Sequence, residues 1–319
     1  MKRIQLLLCG LFVVVLIQGC GHKRASAPVP SKPTTEFIPS TKYEDDQERV
    51  DQLASFVAAN LVTAKGVNSQ NSVGSDVHPL LSETAGLWLI YLAQSGQNTK
   101  FRRAYQQTVV NFENDGLLMY QVQAGHQQRS KMNATLDDLR VIRSLGLHAA
   151  QTHNEHYQTK AIQRFAALKR KVGKHGQLRD FYDTQFHQVS SLTSMAYYDL
   201  LTLREYETKP VFNDQLQLVQ KGYLGSQLPL YATNYDWNRR QYSTSPLNTS
   251  EALLTLLHLA EVKHLREPSL QWLAHQVTSS TLYNRYEVSG EVDNWGESAA
   301  NYAIAARIFA VTRRPALYS

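Results

Sequence analysis

Five segments of the chain place small or acidic polar residues directly before a long apolar run. They are Ser82-Glu83-Thr84-Ala85-Gly86-Leu87-Trp88, Thr135-Leu136-Asp137-Asp138-Leu139, Ser191-Leu192-Thr193-Ser194-Met195, Thr249-Ser250-Glu251-Ala252-Leu253 and Gly296-Glu297-Ser298-Ala299-Ala300. Such residues satisfy free N–H groups at a helix start and complement its dipole, so the pattern reads first as capping. If the helices run in parallel, their starts also gather several carboxyl groups at one mouth, where general acid–base chemistry becomes possible. Other chemistries are poorly served. His148, His153 and His156 cluster near a helix end, but zinc would need further converging ligands, and solvated histidines are expected. There is no Gly-rich phosphate loop, no catalytic cysteine and no nucleophile-elbow serine, so no metal or cofactor is expected.

The elements that must position these carboxyls repeat. The five starts recur about every 50 residues, and one further, more polar helix fits between each pair. Apolar periodicity predicts helices near 82–95, 99–113, 135–152, 155–172, 191–206, 212–222, 249–263, 267–280 and 297–312, with another around Asp51–Val62. Short β candidates at Leu117–Val122 and Tyr283–Val288 read as loop decorations. Alternating inner and outer helices in five or six pairs make an all-α fold, an α/α barrel, with an open solenoid as its rival.

The first residues carry an address. Lys2 and Arg3 precede the apolar run Leu6–Ile17, which is too short for a comfortable membrane span. Leu16-Ile17-Gln18-Gly19-Cys20 resembles a bacterial lipobox, so residues 1–19 read as a signal peptide and Cys20 as a lipid-bearing first residue. The chain's other cysteine, Cys9, leaves with the signal, so the mature chain has no internal disulfide. Residues 20–42, with Pro28, Pro30, Pro33 and Pro39, have the composition of a flexible linker. Residues 43–319 form one domain. The expected location is extracytoplasmic, on the cell membrane through the lipid on Cys20. The formal charge of +6 is a mild excess that favours an anionic envelope surface. No basic block is dense enough for nucleic acid. A monomer is expected.

Three segments resemble glycoside hydrolase family 8, inverting enzymes with an (α/α)6 barrel of helix hairpins. Ser82-Glu83-Thr84-Ala85-Gly86 resembles the family's Ser-Glu-Gly-x-Gly, with Thr84 in place of a glycine. Ala134-Thr135-Leu136-Asp137-Asp138 resembles Ala-Thr-Asp-x-Asp, with Leu136 in place of the first acid. Tyr235-Asp236-Trp237-Asn238-Arg239 resembles Tyr-Asp-x-x-Arg. The resemblance implies Glu83 as general acid and Asp236 as the base that activates water. It also implies a polysaccharide partner, and points to a lipoprotein branch associated with exopolysaccharide. Inversion needs one protonated and one ionised carboxyl, roughly 6.5–9.5 Å apart to admit a water. A helix start opposes protonation of Glu83, and a charge on Asp138 would favour it. Asp138 or Asp137 would bind the sugar at the cleavage point. Arg239 would fix Asp236, and Tyr235 would orient a carboxylate. Trp237, Trp295 and Tyr198 are the aromatic platforms expected to stack on sugar rings. Trp88 and Trp272 read as structural.

Overall fold

The computed structural model describes residues 47–69, 79–123 and 128–318. The expected signal peptide, the linker over 20–42 and Cys20 lie outside the described residues. Ten α-helices follow in chain order: α1 (Gln47–Asn60), α2 (Ser82–Gln94), α3 (Asn98–Phe112), α4 (Thr135–Thr152), α5 (Glu155–Val172), α6 (Leu200–Tyr206), α7 (Lys209–Lys221), α8 (Thr249–Glu261), α9 (Glu267–Thr278) and α10 (Ala299–Val311). No helix among the described residues is long and apolar enough to cross a membrane.

The even-numbered helices form the inner layer of an α/α barrel. In α4 every residue from Thr135 to Ala149 is buried, polar ones included. Outer helices bury one stripe only, as α7 does with Phe212, Gln215, Leu216 and Val219. Within the inner layer α2 packs on α4, α4 on α6, α6 on α8 and α8 on α10. The α2–α4 contact is close because position 86 is glycine: a Cβ there would stand 3.0 Å from the Arg140 Cβ. Short hairpins decorate the mouth and lead from outer to inner helices. Glu113–Asn114 pairs with Leu117–Leu118 around Asp115 (φ 52°) and Gly116 (φ 82°). Gly173–Lys174 pairs with Leu178 and Gln177 around His175 (φ 53°) and Gly176 (φ 77°). Two successive positive φ values match the turn that suits the twist of a tight hairpin.

One expected helix is replaced. Residues 191–206 open with a strand, Leu192–Ser194, then a 3-10 turn, Met195–Tyr197, and only Leu200–Tyr206 is α-helical. The strand is claimed by neighbours on two sides. It pairs with Asn234–Asp236, and the Thr193 hydroxyl donates to the Leu178 carbonyl at 2.7 Å. Asp199 then caps α6 by accepting from the Thr202 N–H at 3.1 Å.

Away from the mouth, a buried ion network ties the inner helices together. Arg143 of α4 donates to both carboxylate oxygens of Glu261 at the end of α8, at 2.7 and 3.0 Å, and approaches Asp199 at 3.4 Å. Burial pushes the Glu261 carboxyl up. The opposing pull of Arg143, His258 and Arg307 is stronger and holds it well below the usual range.

Candidate active site

The inner-helix starts open onto a cleft of about 530 Å³. Its lining includes Glu83 in the first turn of α2, Asp137 and Arg140 in α4, Asp180, Tyr197 and, in the first turn of α8, Glu251. Ser82-Glu83 and Ser250-Glu251 thus open two inner helices that are not neighbours in the arc, and both face one cleft. The Glu83 side chain is 51% exposed and accepts from the Arg140 guanidinium at 2.9 Å. The same Arg140 nitrogen reaches Asp137 at 3.3 Å, and Asp137 also accepts from the Ser82 hydroxyl at 2.6 Å. Burial pushes the Asp137 carboxyl up to about 6. Arg140 and Ser82 oppose that rise, and the charge of Glu83 adds to it.

The two adjacent aspartates part company. Asp138 is buried, accepts from the Leu118 N–H at 3.0 Å and from the Asn133 amide at 2.8 Å, and does not line the cleft. Burial raises it to about 7. The expectation that Asp138 meets the sugar is therefore corrected: it fastens a hairpin to α4. Successive helical residues point about 100° apart, and Asp137 takes the cleft-facing position beside Glu83. A second correction concerns Tyr198, whose ring is fully buried. Its hydroxyl donates to Gln177 at 2.8 Å and accepts from the Leu178 N–H at 3.0 Å. Tyr197 lines the cleft instead, where burial and the surrounding acids push its hydroxyl up to about 12.

The hairpin carrying Tyr235, Asp236 and Arg239 flanks this cleft. Asp236 stands opposite Leu192 in the strand register, and the Leu192 carbonyl accepts from the Asp180 N–H at 3.1 Å. Asp236 is thus one strand away from a cleft-lining residue, though not itself in the lining. One of its oxygens accepts from the Asn238 and Arg239 N–H groups at 2.8 and 3.2 Å. The other lies 3.7 Å from the exposed Arg239 side chain. Tyr235 packs edge-on against Trp237 and Tyr242, with centroids 4.8 and 4.9 Å apart. Trp237 donates to the Thr193 hydroxyl at 2.9 Å and is covered by the Arg179 guanidinium at 3.9 Å. One face of its indole is therefore already occupied. Trp295 is 69% exposed, braced edge-on by Tyr283 at 4.9 Å.

Sequence reasoning missed three cleft residues. Arg140 gave no signal, being one cation within a largely apolar helix. Glu251 carried a usable signal, because it repeats the Ser-Glu pair of α2. Burial and then the nearby Asp180 raise its carboxyl. Asp180 gave no signal. It sits after a hairpin, where its oxygens accept from the Ser194 N–H at 2.6 Å and the Ser194 hydroxyl at 2.8 Å. The histidines also need correction in part. His148 is buried, stacked on Phe101 at 4.0 Å and met edge-on by Tyr157 at 4.6 Å. Burial and then Arg102 lower its proton affinity. Asp199, His258 and Glu261 have ligand-type atoms within 4.8 Å of one another, but Arg143 already holds both carboxylates.

No family model matches the chain. Over 258 residues it is 26% identical to "Putative lipoprotein YdaJ" of Bacillus subtilis (strain 168), covering 78% of this chain and 69% of that protein. Its fold is similar to that of a novel alpha-amylase from Clostridium perfringens (TM-score 0.76, 20% identity, 83% of this chain and 82% of that one). It is also similar to endoglucanase Cel10, a family 8 glycosyl hydrolase from Klebsiella pneumoniae (TM-score 0.64, 13% identity, 82% and 89% covered). The fold of this chain is that of the family 8 glycosyl hydrolases, the family its Ser82-Glu83 and Tyr235-Asp236 segments resemble.

Proposed function

We propose that the chain is an inverting glycoside hydrolase that cuts an extracellular polysaccharide, an exopolysaccharide by preference, while held on the cell membrane through Cys20. The observation that carries this reading is Glu83: a half-exposed carboxyl on an inner-helix start, inside a cleft of sugar-sized volume on a glycosidase fold. Glu83 donates its proton to the leaving oxygen. Asp236 takes a proton from water, oriented by its two backbone N–H contacts and by Arg239. Asp137 and Arg140 form a coupled pair beside the acid, in the place first assigned to Asp138. Negative charge on Asp137 offsets Arg140 and so favours the protonated acid. Tyr120 and Tyr197 on the cleft wall and Trp295 at the mouth offer faces for sugar rings.

The test is reducing-end release from purified exopolysaccharide, with the product anomer read by NMR. The wild-type chain is expected to release inverted ends. Glu83→Gln and Asp236→Asn are each expected to lose about 10²–10⁴-fold in rate. Saturable binding without release by the wild type would replace this reading with that of a polysaccharide-binding lipoprotein on the same fold.

A further inference from the structure

Charge divides the two ends of the inner helices. At the mouth, Glu83, Asp137, Asp180 and Glu251 line the cleft, with Arg140 as the only cation among the described lining residues. The four longer inner helices run parallel away from it. The Gln94 carbonyl at the end of α2 accepts from the Gln151 amide near the end of α4 at 3.1 Å. Ser250 and Asn301 meet at 2.6 Å near the starts of α8 and α10, and Arg307 approaches Glu261 at 3.6 Å toward their ends. The bond between Arg143 and Glu261 ties the two pairs together. Three of these helices have 13 residues, so their far ends lie about 20 Å from the mouth.

At the far ends the exposed charges are mostly positive. Lys100, Arg102 and Arg103 stand in the first two turns of α3, Lys263 follows α8, and Arg313 and Arg314 follow α10; all six are exposed. The acids of these connections are Glu155, beside His153 and His156 between α4 and α5, and Glu267, which pairs with Arg314 at 3.3 Å. The α6–α7 connection is neutral, with Arg204 and Lys209 against Glu205 and Glu207. The charge of Arg102 acts on His148 of α4 and Tyr157 of α5, so the start of α3 adjoins the α4–α5 connection. Helix electrostatics explains only some of these cations. Lys263 (φ 65°) and Arg313 (φ 59°) hold the left-handed position that closes α8 and α10, where a positive charge meets the negative end of the helix dipole. The start of α3 has no acid and no side-chain cap. A helix start disfavours cations, so local stability gives no reason for Lys100, Arg102 and Arg103. Three cations beside the free N–H groups of a helix start suit an anion.

We infer that the far ends of the inner helices form a face that rests on an anionic bilayer, with phosphate headgroups against Lys100, Arg102, Arg103, Lys263 and Arg313, and with the acidic mouth turned away. The lipobox-like segment ending at Cys20 puts a bilayer within reach of the body. A lipid near one end of a chain does not choose which face of the body meets the membrane; a basic face opposite an acidic one does. Docked this way, the cleft opens toward the medium. The inference does not depend on the glycosidase reading.

The full lipid-bearing chain on vesicles tests it. Cys9 and Cys20 are the chain's only cysteines, so one introduced cysteine can carry a fluorophore, and the parent protein gives the background. Asn98→Cys reports the far face and Gln185→Cys the mouth; both positions are exposed. The vesicles are phosphatidylcholine alone, or phosphatidylcholine and phosphatidylglycerol in equal parts, each with a nitroxide quencher on the headgroup. The label at Asn98 is expected to be quenched about fivefold more on the anionic vesicles than on the neutral ones. That difference is expected to vanish in about 1 M salt, where charges are screened within about 3 Å. The label at Gln185 is expected to be quenched weakly on both. Lys100→Glu combined with Arg102→Glu and Arg103→Glu is expected to lower quenching at Asn98 on anionic vesicles to the neutral level. It is expected to do so without lowering the melting temperature, because acids suit a helix start. Equal quenching at Asn98 on the two kinds of vesicle, quenching at Gln185 as strong as at Asn98 on anionic vesicles, or a preference that survives either salt or the triple charge reversal would overturn the inference.

Discussion

Helix α4 carries two arginines one turn apart that serve different ends of the barrel. Arg140 faces the cleft and is shared between a half-exposed Glu83 and a buried Asp137. Arg143 faces the interior and binds Glu261 and Asp199, both buried. In the first cluster the ions touch water, and one carboxyl sits near neutrality, so protons can move. In the second Arg143, Asp199 and Glu261 are desolvated and matched, so the network holds helices together. The same residue types give a reactive site or a clamp depending on access to solvent, since unpaired charge is affordable only where water or a substrate reaches it.

The comparison can be broken at the clamp first. Arg143→Met takes the cation from buried Asp199 and leaves Glu261 the looser contact of Arg307 at 3.6 Å, and urea unfolding is expected to show a loss of about 3–5 kcal/mol. A loss comparable to that of an exposed pair would remove the distinction. Arg140→Gln is the matching change at the mouth. It is expected to cost less than the change at the clamp, because Glu83 is solvated and Asp137 keeps its Ser82 contact and can take up a proton, while raising the Asp137 midpoint above about 6 in a carboxyl-carbon NMR titration.

Proton linkage sharpens the contrast. Folding raises Asp138 from 3.8 to about 7, so the folded state holds that proton more tightly than the unfolded one. Its contribution to stability is fully present below about pH 4 and is lost as pH rises through about 7. Asp138→Asn is expected to flatten the fall in stability between pH 5 and 8; an unchanged slope would assign that fall elsewhere. The smallest effect belongs to Trp295→Ala. This change at an exposed ring is expected to leave stability within about 0.5 kcal/mol yet weaken oligosaccharide binding by about tenfold, in line with one lost stacking contact. Equal affinity by calorimetry would remove Trp295 from the groove.

Much of the scaffold was legible because it rests on local rules. Helical periodicity marks most of α2–α10, and the polar starts mark which helices are inner. The boundaries failed where tertiary partners outbid local preference, as at 191–206, where a strand partner and the Asp199 cap break the helix. The site was legible only in outline. Glu83 faces the cleft, and Asp236 lies in a hairpin beside it. No one-dimensional pattern could say which of two adjacent aspartates faces sugar and which faces Leu118, because one residue of helical phase decides it.

The sequence alone determined a helical repeat, its inner and outer members, and a set of carboxyls at one mouth. Those follow from side-chain periodicity and backbone capping, which act over a few residues. Only the tertiary structure decided that Asp137 rather than Asp138 joins Glu83, that Tyr197 rather than Tyr198 meets the cleft, and that Asp180 and Arg140 belong there. Pairing and desolvation set these roles. Both depend on groups as far apart as Ser82 and Asp137, or Asp180 and Ser194, which meet only when the helices are packed.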